Sequence, residues 1–328
     1  HDLSLPHVDP QSLLFHTSKA SKYANKIGDA CGEAEVCQMW KAHFENLYNS
    51  VLNNDAREMF TNRLSNVPSK DYDYQHTDFS VYDIFNAVVK QKKNKSPGPN
   101  GLAMEAYMYG DLRLFVHLSL LFSACVRHCY LPQKFMEISI MPLIKNKGGD
   151  LTDANNYRAI AVSNAETKIL EKIMLCLLTN HADEDKYQFG FKSNHSTGLC
   201  TAVMKQTVNY YISRGSHVFT CFVDFTKAFD RVNYYKLFNQ LLDDKIPVCI
   251  VKLLSFWYSK QEAFITWQNT VSDHFSISNG TKQGGLLSPY LFTRYIRKLL
   301  QSVSTSQIGC RIGGLAINIL AYADDIVL

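Results

Sequence analysis

Apolar residues recur along this chain with two different periods, and the switches between them lay out an order of helices and short strands. Residues 1–66 are mostly polar, but Trp40, Phe44 and Leu47 fall at helical spacing and predict a helix within Ala34–Asn53. Residues 67–79 (VPSKDYDYQHTDF) read as a linker. Val81, Ile84 and Val88 then mark a helix from about Ser80, which runs into the loop KQKKNKSPGPNG. Leu112–Tyr130 is apolar at helical spacing, and Glu137–Ile144 (EISIMPLI) reads as a strand turned by Asn146-Lys147-Gly148-Gly149. Further helices are predicted over Ala165–Leu178, Ser196–Ser213, Asn233–Leu242 and Leu286–Val303. The last has Ser288 and Pro289 in its first turn, where proline is tolerated. Val218–Val223 (VFTCFV) predicts a short buried strand, and Ala263–Gln268 and His274–Ile277 two more. No internal repeat is present, and the mixture of helices and short strands predicts an α+β fold.

Composition narrows the class. At 328 residues, with 46% hydrophobic and 20% charged residues, the chain is an ordinary globular one, long enough for two domains or one with an appendage. No apolar run approaches the ~18 residues that cross a bilayer, and no secretory leader precedes the opening HDLSLPHVDPQ, which suggests a fragment of a longer polypeptide. The nine cysteines are odd in number and form no C-x-x-C pair, so they read as reduced core thiols of an intracellular protein. Cys125, His128 and Cys129 lack the second ligand pair that zinc would require. Charge is uneven. Residues 1–89 hold 7 Lys/Arg against 12 Asp/Glu, whereas residues 90–328 hold 27 against 18, a basic balance suited to a polyanionic partner.

Candidate chemistry concentrates near the end of the chain. In ILAYADDIVL (Ile319–Leu328), the adjacent Asp324 and Asp325 interrupt an apolar, strand-forming run. Neighbouring side chains of a regular strand point to opposite faces, so the pair predicts a tight hairpin turn that gathers both carboxylates. Asp224 follows the apolar run of CFVDFTKAFDRVN, and Asp230 reads as the N-cap of the helix that begins nearby. Asp224, Asp324 and Asp325 on neighbouring strands would suit two Mg²⁺ ions, about 3.5–4 Å apart as in enzymes of phosphoryl transfer. Between the two acidic motifs lies NGTKQGGLLSPYLF (Asn279–Phe292). Its glycines admit close backbone approach, Lys282 and Gln283 offer donors, and a helix N-terminus follows.

FVDFTKAFDRV, NGTKQGGLLSPYLF and YADD, in this order, resemble the three palm motifs of reverse transcriptases. KNKSPGPNG (Lys93–Gly101), IMPLIKNKGGDLTDANNYRAIAVSNAETKILEKIM (Ile140–Met174) and QFGFKSNHST (Gln188–Thr197) resemble finger motifs of the non-LTR, LINE-type retrotransposon enzymes. The resemblance covers about residues 80–328. It implies a right-hand polymerase-like arrangement: a helical N-terminal extension and linker over 1–79, fingers over 80–215, and a palm over 216–328 truncated after YADD, with the thumb absent.

The implied reaction is RNA-directed DNA synthesis: Mg²⁺-dependent transfer of deoxynucleotides to a DNA primer 3′-OH on an RNA template, with Mn²⁺ as an alternative ion. The implied setting is the cytoplasm and nucleus, away from membranes. By the same resemblance Asp224, Asp324 and Asp325 match the metal-binding aspartates. Phe229 matches the gate that rejects a ribose 2′-OH, and Gln283 the glutamine lining the nucleotide pocket. Arg158 matches a finger arginine that reaches the triphosphate, assisted by Lys145 and Lys147, and Tyr322 would pack beside the primer end. Arg158-Ala159 departs from the family's usual Arg-Pro, which implies a looser finger backbone. Rival expectations are a group II intron maturase or telomerase-type enzyme, and a co-opted fragment that binds nucleic acid without catalysis.

Overall fold

The computed structural model describes residues 24–67, 78–180 and 185–328; most of the expected linker over 67–79 lies outside them. In chain order the elements are β1 (Lys26–Ile27), β2 (Ala30–Cys31), α1 (Glu33–Tyr48), α2 (Asn54–Ser65), α3 (Val81–Val89), α4 (Met104–Met108), α5 (Leu112–His128) and α6 (Gln133–Met136). Then come β3 (Glu137–Ile144), β4 (Tyr157–Ser163), α7 (Ala165–Asn180), α8 (Thr197–Ile212), β5 (Phe222–Asp224), α9 (Tyr234–Asp243), α10 (Val248–Ser259) and β6 (Glu262–Trp267). The last are β7 (Thr270–Val271), β8 (Phe275–Ser276), α11 (Ser288–Ser304), β9 (Arg311–Ile312), β10 (Leu315–Ala316), β11 (Leu320–Tyr322) and β12 (Asp325–Val327). The architecture is mixed α+β, as the pattern predicts.

Local chemistry accounts for the boundaries. Ser80 caps α3 in a capping box with Asp83, Asp111 caps α5, and Ser196 caps α8. Helix α1 stops at Tyr48, short of the expected Asn53, and α2 begins after the break. The strand expected over His274–Ile277 contracts to Phe275–Ser276.

Two sheets organise the molecule. In the larger, strands run β4-β3-β6-β7, with β8 also paired to β6. β3 pairs antiparallel with β4 over a continuous seven-residue register and parallel with β6, so distant parts of the chain share one sheet. Ala159 is buried opposite Pro142 inside that ladder. The Arg-Ala departure thus lies within regular strand pairing. Helix α1 packs on this sheet through Trp40, whose ring lies 5.4 Å from Phe44, 5.0 Å from Tyr157 and 5.9 Å from Trp267. Trp40, Trp257 and Trp267 are all fully buried, and each such ring removes roughly 150–250 Å² from water.

The smaller sheet has the order β11-β12-β5. Its β5 corrects the expected VFTCFV strand. Only Phe222–Asp224 is strand; Phe222 is 69% exposed because β5 is an edge strand with one face in solvent, and Phe219, outside the strand, is 93% exposed. The cysteines are free, but Cys31, Cys176 and Cys221 are exposed, so core burial describes only Cys37, Cys125 and Cys249. Among the described residues, no helix is long and apolar enough to cross a membrane.

Candidate active site

β11 and β12 form the hairpin predicted for YADD, with Tyr322 paired to Asp325 and the chain reversing through Ala323 and Asp324. On its other edge β12 pairs with β5, and Asp325 stands directly opposite Asp224. Directly paired residues share a face of the sheet. The intervening pair Ile326 and Val223 therefore points the other way, and Ile326 is buried. Asp224 and Asp325 are both exposed, on the outer face. Apolar flanks thus fix the hairpin without burying its carboxylates. Asp324 sits in the turn, half-buried; burial raises its carboxyl above the ordinary carboxylate range, and the charges of Asp325 and Asp224 push it further.

Like charges directly opposite in a ladder are destabilising, and hard oxygen donors on one face are what a divalent cation prefers. The donor set fits such an ion. The convergence is nevertheless less complete than the sequence suggests. Among the described residues, no three His, Cys, Asp or Glu side chains are grouped closely enough to hold a metal. Asp224 and Asp325 are brought together, while Asp324 joins them electrostatically from the turn.

The second centre is a narrow cleft lined by His43, Lys145, Arg158, Lys227, Asp230 and Gln283. Arg158 projects from β4, and Lys145 follows β3, its Nζ donating to the Asn155 carbonyl at 2.8 Å. Lys147 lies outside the cleft lining, exposed in the β3–β4 turn. Burial, with Lys227 and Lys145 nearby, holds the His43 imidazole below its ordinary value.

Asp230 corrects the sequence reading. It does not cap α9; that cap is Asn233, whose side chain accepts from the Lys236 amide. Asp230 is instead buried, and Gln283 Nε2 donates to both its carboxylate oxygens at 3.0 and 2.9 Å. Tyr48 Oη donates to the same carboxylate at 3.3 Å. The loop is also pinned to backbone. Asn279 Nδ2 donates to the Asp230 carbonyl at 2.8 Å and to that of Leu47 at 3.1 Å, while the Ser278 and Asn279 amides donate to the Tyr48 carbonyl. Gly280 is required here, with φ +92° and a Cβ that would fall 2.6 Å from the Asp230 carbonyl oxygen.

Lys282 is a second correction. It is buried, its Nζ 3.5 Å from Glu171 Oε1 and 4.7 Å from the Trp257 ring centre, so it offers nothing to the cleft. Phe229 is half-buried and stacked on Phe292 at 4.4 Å, and Tyr322 is half-buried beside the aspartate turn. The motif reading gave Asp230 another role and passed over Tyr48 and Lys227. Asp230 carried a signal in its place in the motif, but Tyr48 carried none.

The model of the family "Reverse transcriptase (RNA-dependent DNA polymerase)" matches residues 144–328, more than half of the chain. The chain belongs to the reverse transcriptase family. Its curated relatives are proteins of transposable elements and include RNA-directed DNA polymerases, in line with the sequence resemblance. The probable RNA-directed DNA polymerase from transposon X-element of Drosophila melanogaster is 24% identical over 230 residues, covering 69% of this chain and 25% of that protein. The putative 115 kDa protein of the R1DM element of the same organism is 26% identical, covering 76% and 23%. The Pol polyprotein of an R2 element of Popillia japonica is 28% identical, covering 73% and 33%. The chain thus spans about a quarter to a third of the length of these relatives. A solved apo telomerase from Candida tropicalis is similar over 66% of this chain and 48% of its own, with a TM-score of 0.40 and 12% identity.

The buried Asp230 carboxyl has a measurable pH consequence. Burial raises it, outweighing the hydrogen bonds from Gln283 and Tyr48 and the nearby Lys227 and Lys145. A carboxyl raised in the folded state contributes stability that is complete below its unfolded value and is lost as pH rises through the folded one. Urea unfolding between about pH 4 and 7 should therefore show Asp230→Asn gaining on the wild type as pH rises. A pH-independent gap would mean that Asp230 titrates normally.

Proposed function

We propose that this chain carries the polymerising centre of an RNA-directed DNA polymerase of retrotransposition, extending a DNA primer 3′-OH with deoxynucleotides on an RNA template. The observation that carries the reading is the register of Asp325 against Asp224 on the open face of β11-β12-β5, with Asp324 in the adjoining turn. Asp224 and Asp325, with Asp324, would hold Mg²⁺ or Mn²⁺, two ions in the full assembly. Such ions would make the primer hydroxyl more nucleophilic and neutralise charge on the departing pyrophosphate.

The remaining roles fall to the chain's own side chains. Arg158 offers a planar fork suited to phosphate oxygens, and Lys145, with Lys147 further out, adds positive charge. Gln283 lines the nucleotide site in an orientation set by Asp230. Phe229 acts as the bulky gate against a 2′-OH, its ring backed by Phe292. Tyr322 lies beside the primer end. Residues 80–215 serve as fingers and 216–328 as palm, with 1–79 as N-terminal extension.

A primer-extension assay with Mg²⁺, a DNA primer and an RNA template tests the reading on the wild-type chain and on Asp324→Asn. Template-dependent extension by the wild type that the variant lacks supports it. No extension by the wild type, or equal extension by both, defeats it.

A further inference from the structure

The turn that carries the aspartates is held from outside by one buried side chain. Ala323, the first residue of the two-residue turn between Tyr322 and Asp325, has φ +57°. This is a position where glycine is strongly preferred and a Cβ is strained. Gln188, 1% exposed, satisfies both backbone groups of that residue at once. Its Oε1 accepts from the Ala323 amide at 2.8 Å, and its Nε2 donates to the Ala323 carbonyl at 3.1 Å. The same Oε1 accepts from the Gly190 amide at 2.8 Å, which fixes the carboxamide's orientation.

The backbone around Gln188 docks as well. The Ala321 amide donates to the Tyr187 carbonyl at 2.9 Å and the Phe189 amide to the Ala321 carbonyl at 2.7 Å, laying this segment along β11. Gly190 completes the seat: a Cβ there would lie 2.4 Å from the Ala323 nitrogen. The stretch resembling a finger motif thus backs the aspartate turn through an isolated parallel bridge of Gln188 to Ala321.

We propose that Gln188 is a positioning residue that holds Ala323 left-handed and thereby fixes Asp324 and Asp325 toward Asp224. The clamp itself stands on geometry alone; its link to metal binding and polymerisation rests on the function proposed above. Without the carboxamide, the strained Ala323 relaxes and the turn loses its fixed aim.

The test uses the 328-residue chain as wild type, Gln188→Ala, Gly190→Ala, Ala323→Gly and the double variant Gln188→Ala/Ala323→Gly. Backbone hydrogen exchange over 322–326, Mn²⁺ affinity and primer extension are measured on each. Gln188→Ala is expected to speed exchange in the turn at least about tenfold and to weaken Mn²⁺ binding by about 10–100-fold, as loss of groups supporting metal ligands does. It should lower kcat with little change in KM for deoxynucleotide, and Gly190→Ala should follow it. Ala323→Gly alone should resemble the wild type. In the double variant it should recover Mn²⁺ affinity to within about threefold of wild type, since glycine adopts φ +57° without a clamp; loss of a purely structural side chain would not be rescued there.

Unchanged exchange in Gln188→Ala, or no rescue by glycine, overturns the proposal. Should Gln188→Ala not fold, the near-isosteric Gln188→Met, which lacks both carboxamide groups, and its double variant with Ala323→Gly take its place, and unchanged exchange or failed rescue in them overturns the proposal equally. A wild type that neither binds Mn²⁺ nor extends primer defeats the polymerase reading instead, and the clamp is then judged on exchange and on its rescue.

Discussion

Asp224→Asn and Asp325→Asn are each expected to lower primer extension about a thousandfold while leaving the folded protein at least as stable as the wild type. The activity side follows from the proposed role. Charge stabilisation by a bound hard cation is worth several kcal/mol, and each ~1.4 kcal/mol is a factor of ten in rate. The stability side follows from the sheet. Both carboxylates are exposed and stand opposite one another in register, so neutralising either removes a repulsion across the ladder. Ile326 and Val223, which carry the packing on the other face, are untouched. Urea unfolding and primer extension on the same preparations separate the two effects. A variant that loses activity only in proportion to lost folded protein would show the aspartates to be structural.

The second large effect concerns Lys282, and it is one of stability. Its side chain and that of Glu171 are 3% and 2% exposed, with the ammonium also over the Trp257 ring. Burial lowers the Lys282 pKa, and Glu171 counteracts it. Glu171 Oε2 additionally accepts from the Leu286 amide at 2.9 Å, at the entry to α11. Lys282→Met should destabilise by about 3–5 kcal/mol, because it strands a buried carboxylate without its cation. Lys282→Met/Glu171→Gln should recover at least half of that loss, since glutamine keeps the acceptor for Leu286 and carries no charge. A double-mutant cycle in urea reads the coupling, and additive losses would show that the pair is not coupled. The adjoining Gln283 lines the cleft, so the single variant should also disturb the nucleotide binding proposed for it.

What was legible in the sequence was local. Strand β3 emerges with the bounds that the EISIMPLI run predicts, and Ser80 caps α3 where the pattern starts. The aspartate hairpin was legible because adjacent strand residues point to opposite faces, so two carboxylates at one spot call for a turn. Apolar content misled at VFTCFV, where Phe222 faces solvent on an edge strand and Phe219 lies exposed before it. Asp230 misled for another reason. It lies close to a helix start, yet its partners Gln283 and Tyr48 are 53 and 182 residues away. Lys282 finds Glu171 across 111 residues. No local pattern encodes such pairings, so residues that look like a cap or a surface donor become internal fastenings.

The parallel pairing of β3 with β6 bears on how this protein can be divided. The family match begins at Ile144, the last residue of β3. A piece cut at that point would leave β4 and β6 without the strand between them. It would also remove Trp40 from the sheet, and Tyr48 and Leu47 from the loop that carries Gln283. The segment that the family match spans is therefore smaller than the sheet to which it belongs. Leu47 and Tyr48 back the Gln283 loop, and Trp40 and β3 back the strand that carries Arg158, as an inner wall.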